Sequence, residues 1–343
     1  MMPESPEPLF ELPDADVVPN RARALDLMAG ADRIVIAHSG GKDSGALTAV
    51  IATMAAQAGI LDRLIVLHNP LGMYEWPGAA DIAAAHAAHW RLRFEERAAD
   101  GDLLDQVRKR RMWMDNFARF CTAWAKRDPG SRFVTEVVTE LGLNRTAVVV
   151  YTLGMRGQES TARAGLDPIV VDHKRSSGVR TLIRWHPLLY MDQARVWELH
   201  REHGLPHHPA YDAGMSRVSC SLCVLASHAD LKRACQLRPD LAARYADVEW
   251  EIGDSFRPRI SMLELIAQAA GQPVDNARLT LLRMRTDHNR TARNLTRPPR
   301  ANTTVLEHEQ RTAALRARCR TLQQQMTARG YDGHLDTTWE LTA

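Results

Sequence analysis

Arg33-Ile34-Val35-Ile36-Ala37, and one residue later Ser39-Gly40-Gly41-Lys42-Asp43-Ser44, is the stretch that decides the fold. The first five residues have an uninterrupted apolar centre, the pattern of a strand buried on both faces of a parallel sheet. Ala46 to Ala56 then carries a helical pattern that Gly59 stops. A loop at the carboxyl end of such a strand lies where open α/β sheets bind ligands. Gly40 and Gly41 let backbone amides approach an anion, the helix N-terminus adds partial positive charge, and Lys42 adds a full one. Ser39 and Ser44 offer hydroxyls, and Asp43 can cap the helix or meet a metal ion. A turn that only caps a helix is the plain alternative; six specified residues at the end of a buried strand favour a phosphate site. The spacing is not the G-x-x-x-x-G-K-[ST] loop of common ATPases.

Outward from this loop, strands and helices alternate. A short helix occupies residues 20 to 30. Leu64 to Leu67 reads as a strand, Ala79 to Trp90 as an alanine-rich helix, and Leu92 to Phe94 as a third strand. Asp102 to Leu141 reads as helical, with Trp113, Phe117, Phe120 and Trp124 recurring at helical spacing as core residues. Ala147 to Leu153 is a valine-rich strand, and the helix Met191 to His203 is closed by Gly204-Leu205-Pro206. The fold class predicted is α/β: a doubly wound, mostly parallel sheet with a helical C-terminal appendage. The expected divisions are an N-terminal extension (1–30), a nucleotide-binding catalytic domain carrying a C-x-x-C segment (31–260), and a helical, arginine-rich region (261–343).

The 343 residues suffice for a large core, and 45% hydrophobic with 25% charged residues is ordinary for a globular chain. No apolar run reaches the roughly 18 residues of a membrane span, and Met1 to Pro19 is acidic and lacks a signal pattern. This reads as a soluble, cytoplasmic protein with no membrane partner. The net charge of +3 is unevenly spread: Arg283, Arg285, Arg290, Arg293, Arg297 and Arg300 face one acid, Asp287, in the same segment. That segment is either a solvated, partly disordered surface or a phosphate-binding one.

Five cysteines argue against a disulfide framework. Cys220 and Cys223 form a C-x-x-C that can place two thiolates on one metal, and Cys121 and Cys235 can complete four sulfur ligands for an iron–sulfur cluster or zinc. A redox C-x-x-C and inert buried thiols remain open. Of His200, His203, His207 and His208, which could suggest a second metal site, His200 and His203 lie at a helix end and read as surface histidines rather than ligands.

Ser39-Gly40-Gly41-Lys42-Asp43-Ser44 resembles the pyrophosphate loop of the adenine-nucleotide α-hydrolase (PP-loop ATP pyrophosphatase) superfamily, in particular its PAPS reductase-like branch. Gly154-Met155-Arg156-Gly157-Gln158-Glu159-Ser160 with Arg163 resembles the G-x-R-x-x-E-S-x-x-R segment of that branch. Trp185-His186-Pro187-Leu188 with Val196-Trp197, and Gly204-Leu205-Pro206, Pro209, Tyr211-Asp212 and Arg217 leading into Cys220, match its later elements. Two departures stand out. The second strand ends in His68-Asn69, where many relatives carry an aspartate. Cys319 lies in Ala317-Arg318-Cys319-Arg320, unlike the E-C-G-(I/L)-H motif of thioredoxin-dependent reductases. The resemblance implies ATP with Mg²⁺, bound by Ser39 to Ser44 with Arg156, Glu159 and Arg163; Lys42, Asp43 and Arg156 are the catalytic candidates. Arg156 and Arg163 are alternatively structural ion-pair partners. The cysteine pattern is similar to that of DNA phosphorothioation pyrophosphatases. It implies a 4Fe-4S cluster on Cys121, Cys220, Cys223 and Cys235, a DNA acceptor and a cysteine desulfurase as sulfur donor. The activity implied is pyrophosphate-releasing adenylylation of an acceptor for sulfur transfer. The alternatives are reductive cleavage of PAPS or APS, or nucleotide binding without turnover.

Overall fold

The computed structural model describes residues 21–299, 303–333 and 335, so the acidic N-terminal stretch and Arg300 lie outside the described residues. The chain divides into two compact units, residues 1–100 with 120–221, and residues 101–119 with 222–343.

The first unit is built on six strands: β1 (Arg33–His38), β2 (Leu64–His68), β3 (Arg93–Glu96), β4 (Ala147–Thr152), β5 (Ile169–Val171) and β6 (Arg180–Trp185). Their order is β3-β2-β1-β4-β6-β5, parallel throughout except for β5 against β6. The doubly wound, mostly parallel sheet expected from the sequence is therefore the fold. Alternate residues of β1 serve opposite faces, as a period of two requires. Ile34 and Ile36 join a core with Leu47, Val50 and Ile51 of α2 (Lys42–Ala58), whereas Val35 packs with Phe133, Val134 and Val137 of α6 (Asp128–Leu141). Helices α1 (Arg21–Ala29), α3 (Ala79–His89) and α8 (Gln193–Glu202), with the short α5 (Phe120–Thr122) and α7 (Thr161–Ala164), complete the unit. The sheet order reverses between β1 and β4, which makes the carboxyl ends of these two strands the topological switch point.

The second unit is helical: α4 (Leu103–Arg110), α9 (His228–Leu237), α10 (Pro239–Ile252), α11 (Met262–Ala270), α12 (Asn276–Leu295) and α13 (Val305–Thr327). Trp113 stacks on Tyr245 and meets Phe256 edge-on, each pair 5.2 Å between centroids. The buried Glu249 carboxylate accepts the Phe256 and Met262 amides and so pins the turn between α10 and α11.

Three expectations are corrected here. Residues 102–141 are not one helix: α4 stops at Arg111, whose φ of 50° is left-handed, and an irregular segment leads to α5. Phe117 is consequently not core but 99% exposed, while Trp113 alone of the four aromatics is fully buried. By contacts the two units divide between Ser221 and Leu222, inside the C-x-x-C. Packing explains this, because α4 joins α10 while α9 packs on both α10 and α11. The arginine-rich segment from Arg283 to Arg293 is neither disordered nor all available to phosphate. It forms α12, where Arg283 pairs with Glu264, Arg290 and Arg293 with Asp254, and the buried Arg285 lies over the Trp250 and Tyr331 rings.

Candidate functional site

At the switch point the loop after β1 and the loop after β4 meet. Gly40 adopts φ +71°, and a Cβ there would lie 2.4 Å from the Ala79 carbonyl oxygen. Only glycine satisfies both the left-handed backbone and that close approach. Gly154, beyond β4, sits where a Cβ would come within 3.0 Å of the Asp43 carbonyl oxygen. The two loops thus touch through glycine backbone, and α2 begins at Lys42 with its N-terminus between them.

Lys42 is 3% exposed. Its ammonium donates to Asp43 Oδ2 at 3.2 Å and to the Ser216 carbonyl at 3.3 Å, and lies 5.5 Å from the Tyr211 ring centre. Burial lowers its pKa, with Asp43 opposing that shift. The other Asp43 oxygen accepts from Arg156 Nε at 2.6 Å. Arg156, also buried, donates to Gln158 Oε1 at 2.8 Å, and its backbone N–H donates to Glu159. Two buried cations therefore share one carboxylate beside a helix N-terminus, an arrangement with surplus positive charge for a second anion. Ser39 and Ser44 are joined in the same loop, Ser39 N–H donating to Ser44 Oγ, which donates to the Gly41 carbonyl. Of the sequence candidates, Ser39 to Ser44 and Arg156 converge. Arg163 instead pairs with Glu159, and Glu159 acts on the Arg156 backbone.

Sequence reasoning missed what lies beneath the loop. Gly40 N–H donates to His38 Nδ1 at 3.0 Å, so the His38 proton sits on Nε2 and donates to His86 Nδ1 at 2.9 Å. His86 Nε2 then donates to the Pro206 carbonyl at 2.7 Å. This chain fixes both tautomers, and both rings are neutral: burial holds His38 well below the ordinary histidine range and His86 at about 4. His200 Nε2 donates to the Lys42 carbonyl at 2.8 Å, and the Tyr211 hydroxyl accepts the Lys42 and Val218 amides. His200 and His203 are buried, which corrects their reading as surface residues. Gly45 admits this packing, since a Cβ on it would strike His86 and His200 at 2.6 and 2.7 Å. Where the second strand ends without an aspartate, Glu75 faces His68 Nε2 at 3.3 Å.

The four cysteines expected to ligate a metal differ in their surroundings. Among the described residues, no group of three or more His, Cys, Asp or Glu side chains is gathered to hold a metal ion. Cys121 lies on α5, Cys220 bridges to Glu75, and both, like Cys223, are half-buried. Cys235 is on the buried side of α9 with Leu231 and Ala234, and burial pushes its thiol up to about 12. Cys319 is wholly buried against Ala292.

Residues 33–226 match the family described as the phosphoadenosine phosphosulfate reductase domain. The chain belongs to this family. It lies within the adenine-nucleotide α-hydrolase-like superfamily. Over 144 residues the chain is 32% identical to an uncharacterized 37.8 kDa protein in the gpa 5′ region of Escherichia phage 186, covering 41% of this chain and 40% of that protein. Over 192 residues it is 28% identical to the tRNA-cytidine(32) 2-sulfurtransferase of Syntrophotalea carbinolica, covering 54% and 68%. The chain thus spans less than half the phage protein. Solved structures that resemble it include PAPS reductase from Candida auris in a phosphate complex, at TM-score 0.38 and 16% identity, over 62% of this chain and 97% of that one. Another is the U34-tRNA thiolase NcsA from Methanococcus maripaludis with its [4Fe-4S] cluster, at TM-score 0.38 and 13% identity, over 74% and 79%. Among the described residues no helix is long and apolar enough to cross a membrane.

Proposed function

We propose that this family member cleaves ATP between the α and β phosphates, holding the pyrophosphate at Ser39 to Ser44 while the adenylyl group passes to an acceptor oxygen. The acceptor oxygen forms a bond to the α-phosphorus as the bond to the β-phosphate oxygen breaks. A sulfur nucleophile then displaces AMP. The observation that carries this reading is the Lys42–Asp43–Arg156 cluster at the switch point, buried and one positive charge in excess. Such a preorganised cluster stabilises negative charge as it develops on a departing pyrophosphate. Mg²⁺ would arrive with ATP as part of the substrate, since the sole loop carboxylate has an oxygen on each cation. No step here runs through an iron–sulfur cluster or zinc.

A polynucleotide acceptor is supported by the relative named for 2-thiolation of tRNA cytidine. Within that class we favour a DNA backbone phosphate, with the persulfide of a cysteine desulfurase as the nucleophile and a second thiol, left as a disulfide with the carrier cysteine, freeing the sulfur on the acceptor. Reductive cleavage of PAPS or APS is the second reading, and the family's name favours it. The burial of Cys319 opposes it, because the thiol that would attack a sulfonucleotide must reach the substrate. Product analysis on α-labelled ATP separates these readings. AMP and pyrophosphate are expected; ADP and phosphate would overturn the reading, and absence of any turnover with every acceptor offered would leave a nucleotide-binding protein.

A further inference from the structure

The segment between α4 and α5 combines features that the nucleotide site does not use. Residues 108–119 hold Arg108, Lys109, Arg110, Arg111 and Arg119 against one acid, Asp115. Arg108 is engaged by Asp105 and Glu251. Lys109, Arg110, Arg111 and Arg119 are all exposed. The turn that follows is ordered, because the Asp115 carboxylate accepts the Phe117 and Ala118 amides at 2.7 and 2.6 Å. On that turn the Phe117 ring is 99% exposed. Arg293 of α12 donates to the Arg111 carbonyl at 2.8 Å, and the exposed Arg297 follows two residues after α12 ends at Leu295.

The helix dipole accounts for basic residues in the last turn of α4. It does not account for an aromatic ring held outward on an ordered turn beside them. We propose that this surface, Lys109 to Arg119 with the carboxyl end of α12, binds single-stranded nucleic acid, with phosphates on the basic side chains and a base stacked on Phe117. Charge complementarity selects a polyanion, and the ring selects one whose bases are free to stack. In a duplex the bases stack on one another and present no face to Phe117. An anionic membrane fits less well, because the apolar residues of α4, Leu103, Leu104 and Val107, are buried within the unit and leave one ring rather than an apolar face.

Anisotropy titrations of the full chain with labelled single-stranded and duplex oligonucleotides of equal length, and sedimentation with phosphatidylserine vesicles, test this. The single strand is expected to bind more tightly than the duplex. Phe117→Ala should weaken single-strand binding by about tenfold with the salt dependence unchanged. The double substitution Lys109→Ala and Arg111→Ala should weaken all binding and reduce the single-strand slope against log salt by about 1.4. Equal affinity for duplex and single strand, no effect of Phe117→Ala, or binding to vesicles alone would each overturn the proposal. ATP turnover by Phe117→Ala without oligonucleotide should match that of the unsubstituted chain, so a failure here stays separate from a failure of the nucleotide site.

Discussion

The loop after β1 and the cysteines hold their reactive groups under different conditions. At the loop, Lys42 and Arg156 share one carboxylate, and two histidines have their protons assigned by neighbouring amides and carbonyls. Lys42, Arg156, His38 and His86 are buried and yet have partners, and the half-buried Asp43 carboxylate leaves one positive charge in excess. Cys121, Cys220 and Cys223 are instead half-buried, and Cys235 is buried among apolar side chains. A buried group with a fixed partner can be part of a site, whereas a buried group without a charged neighbour is simply packed.

Substitution at the loop should give the largest effect and is the quickest way to break this contrast. Lys42→Ala or Arg156→Ala is expected to lower ATP turnover by roughly 10²–10³-fold, the cost of one preorganised donor on a developing anion. Cys220→Ser should leave turnover at the unsubstituted level. Equal losses at Lys42 and Cys220, measured by pyrophosphate release, would show that the thiols belong to the site after all.

Gly40→Ala tests the backbone half of the same region. The left-handed φ and the 2.4 Å approach to Ala79 each oppose a methyl group. Together they should cost about 2–4 kcal/mol in chemical denaturation. Gly59→Ala, also at positive φ but with open space around its Cβ position, should cost less, about 1 kcal/mol.

These sites differ in how much of them could be read from residues alone. The phosphate loop was legible because its parts are contiguous and its position follows from one apolar strand; Ser39 to Ser44 needed no distant partner to be recognised. The sheet's central strands were legible for the same reason. The histidines under the loop were not, since His38, His86 and His200 come from three elements and only tertiary packing makes them neighbours. Strand β6 escaped notice because Arg180 and Arg184 break its apolar run, and the end of α4 because nothing in Arg110-Arg111 announces a left-handed residue. The cysteine set was legible only in part, as spacing within C-x-x-C says nothing about Cys121 or Cys235.

The buried histidines make the loop's half of the contrast sensitive to pH. His86 is held at about 4 when folded and returns to about 6.5 when unfolded. Between those values the unfolded chain binds more protons, so stability rises with pH through this window. The contribution is complete above about pH 6.5 and is lost as pH falls toward 4, amounting to roughly 3 kcal/mol at full extent. His38 is shifted in the same direction and adds to the slope. Melting temperature should therefore drop between pH 7 and pH 5, and His86→Gln should flatten that drop. A slope unaltered by the substitution would mean that the loss comes from other groups.

Cys235 offers the smallest effect and sharpens the contrast from the other side. Its thiol, pushed up to about 12 by burial, holds almost no thiolate at pH 8, and the thiolate is the species that alkylates. Folded protein treated with iodoacetamide should therefore label at the half-buried Cys220 and Cys223 well before Cys235, with mass spectrometry of peptides as the readout. Unfolding in guanidinium should bring Cys235 to the same rate as the others. A thiol ligating a metal would be protected as well, but for a different reason, and a chelator tells the two apart. Burial survives chelator treatment, whereas ligation does not. Labelling of Cys235 that stays slow in the presence of chelator, in a protein without stoichiometric iron or zinc, is the outcome that packing on α9 demands. A chelator that exposes Cys121, Cys220, Cys223 and Cys235 together would instead reunite the four thiols as a metal centre and erase the difference between the two regions.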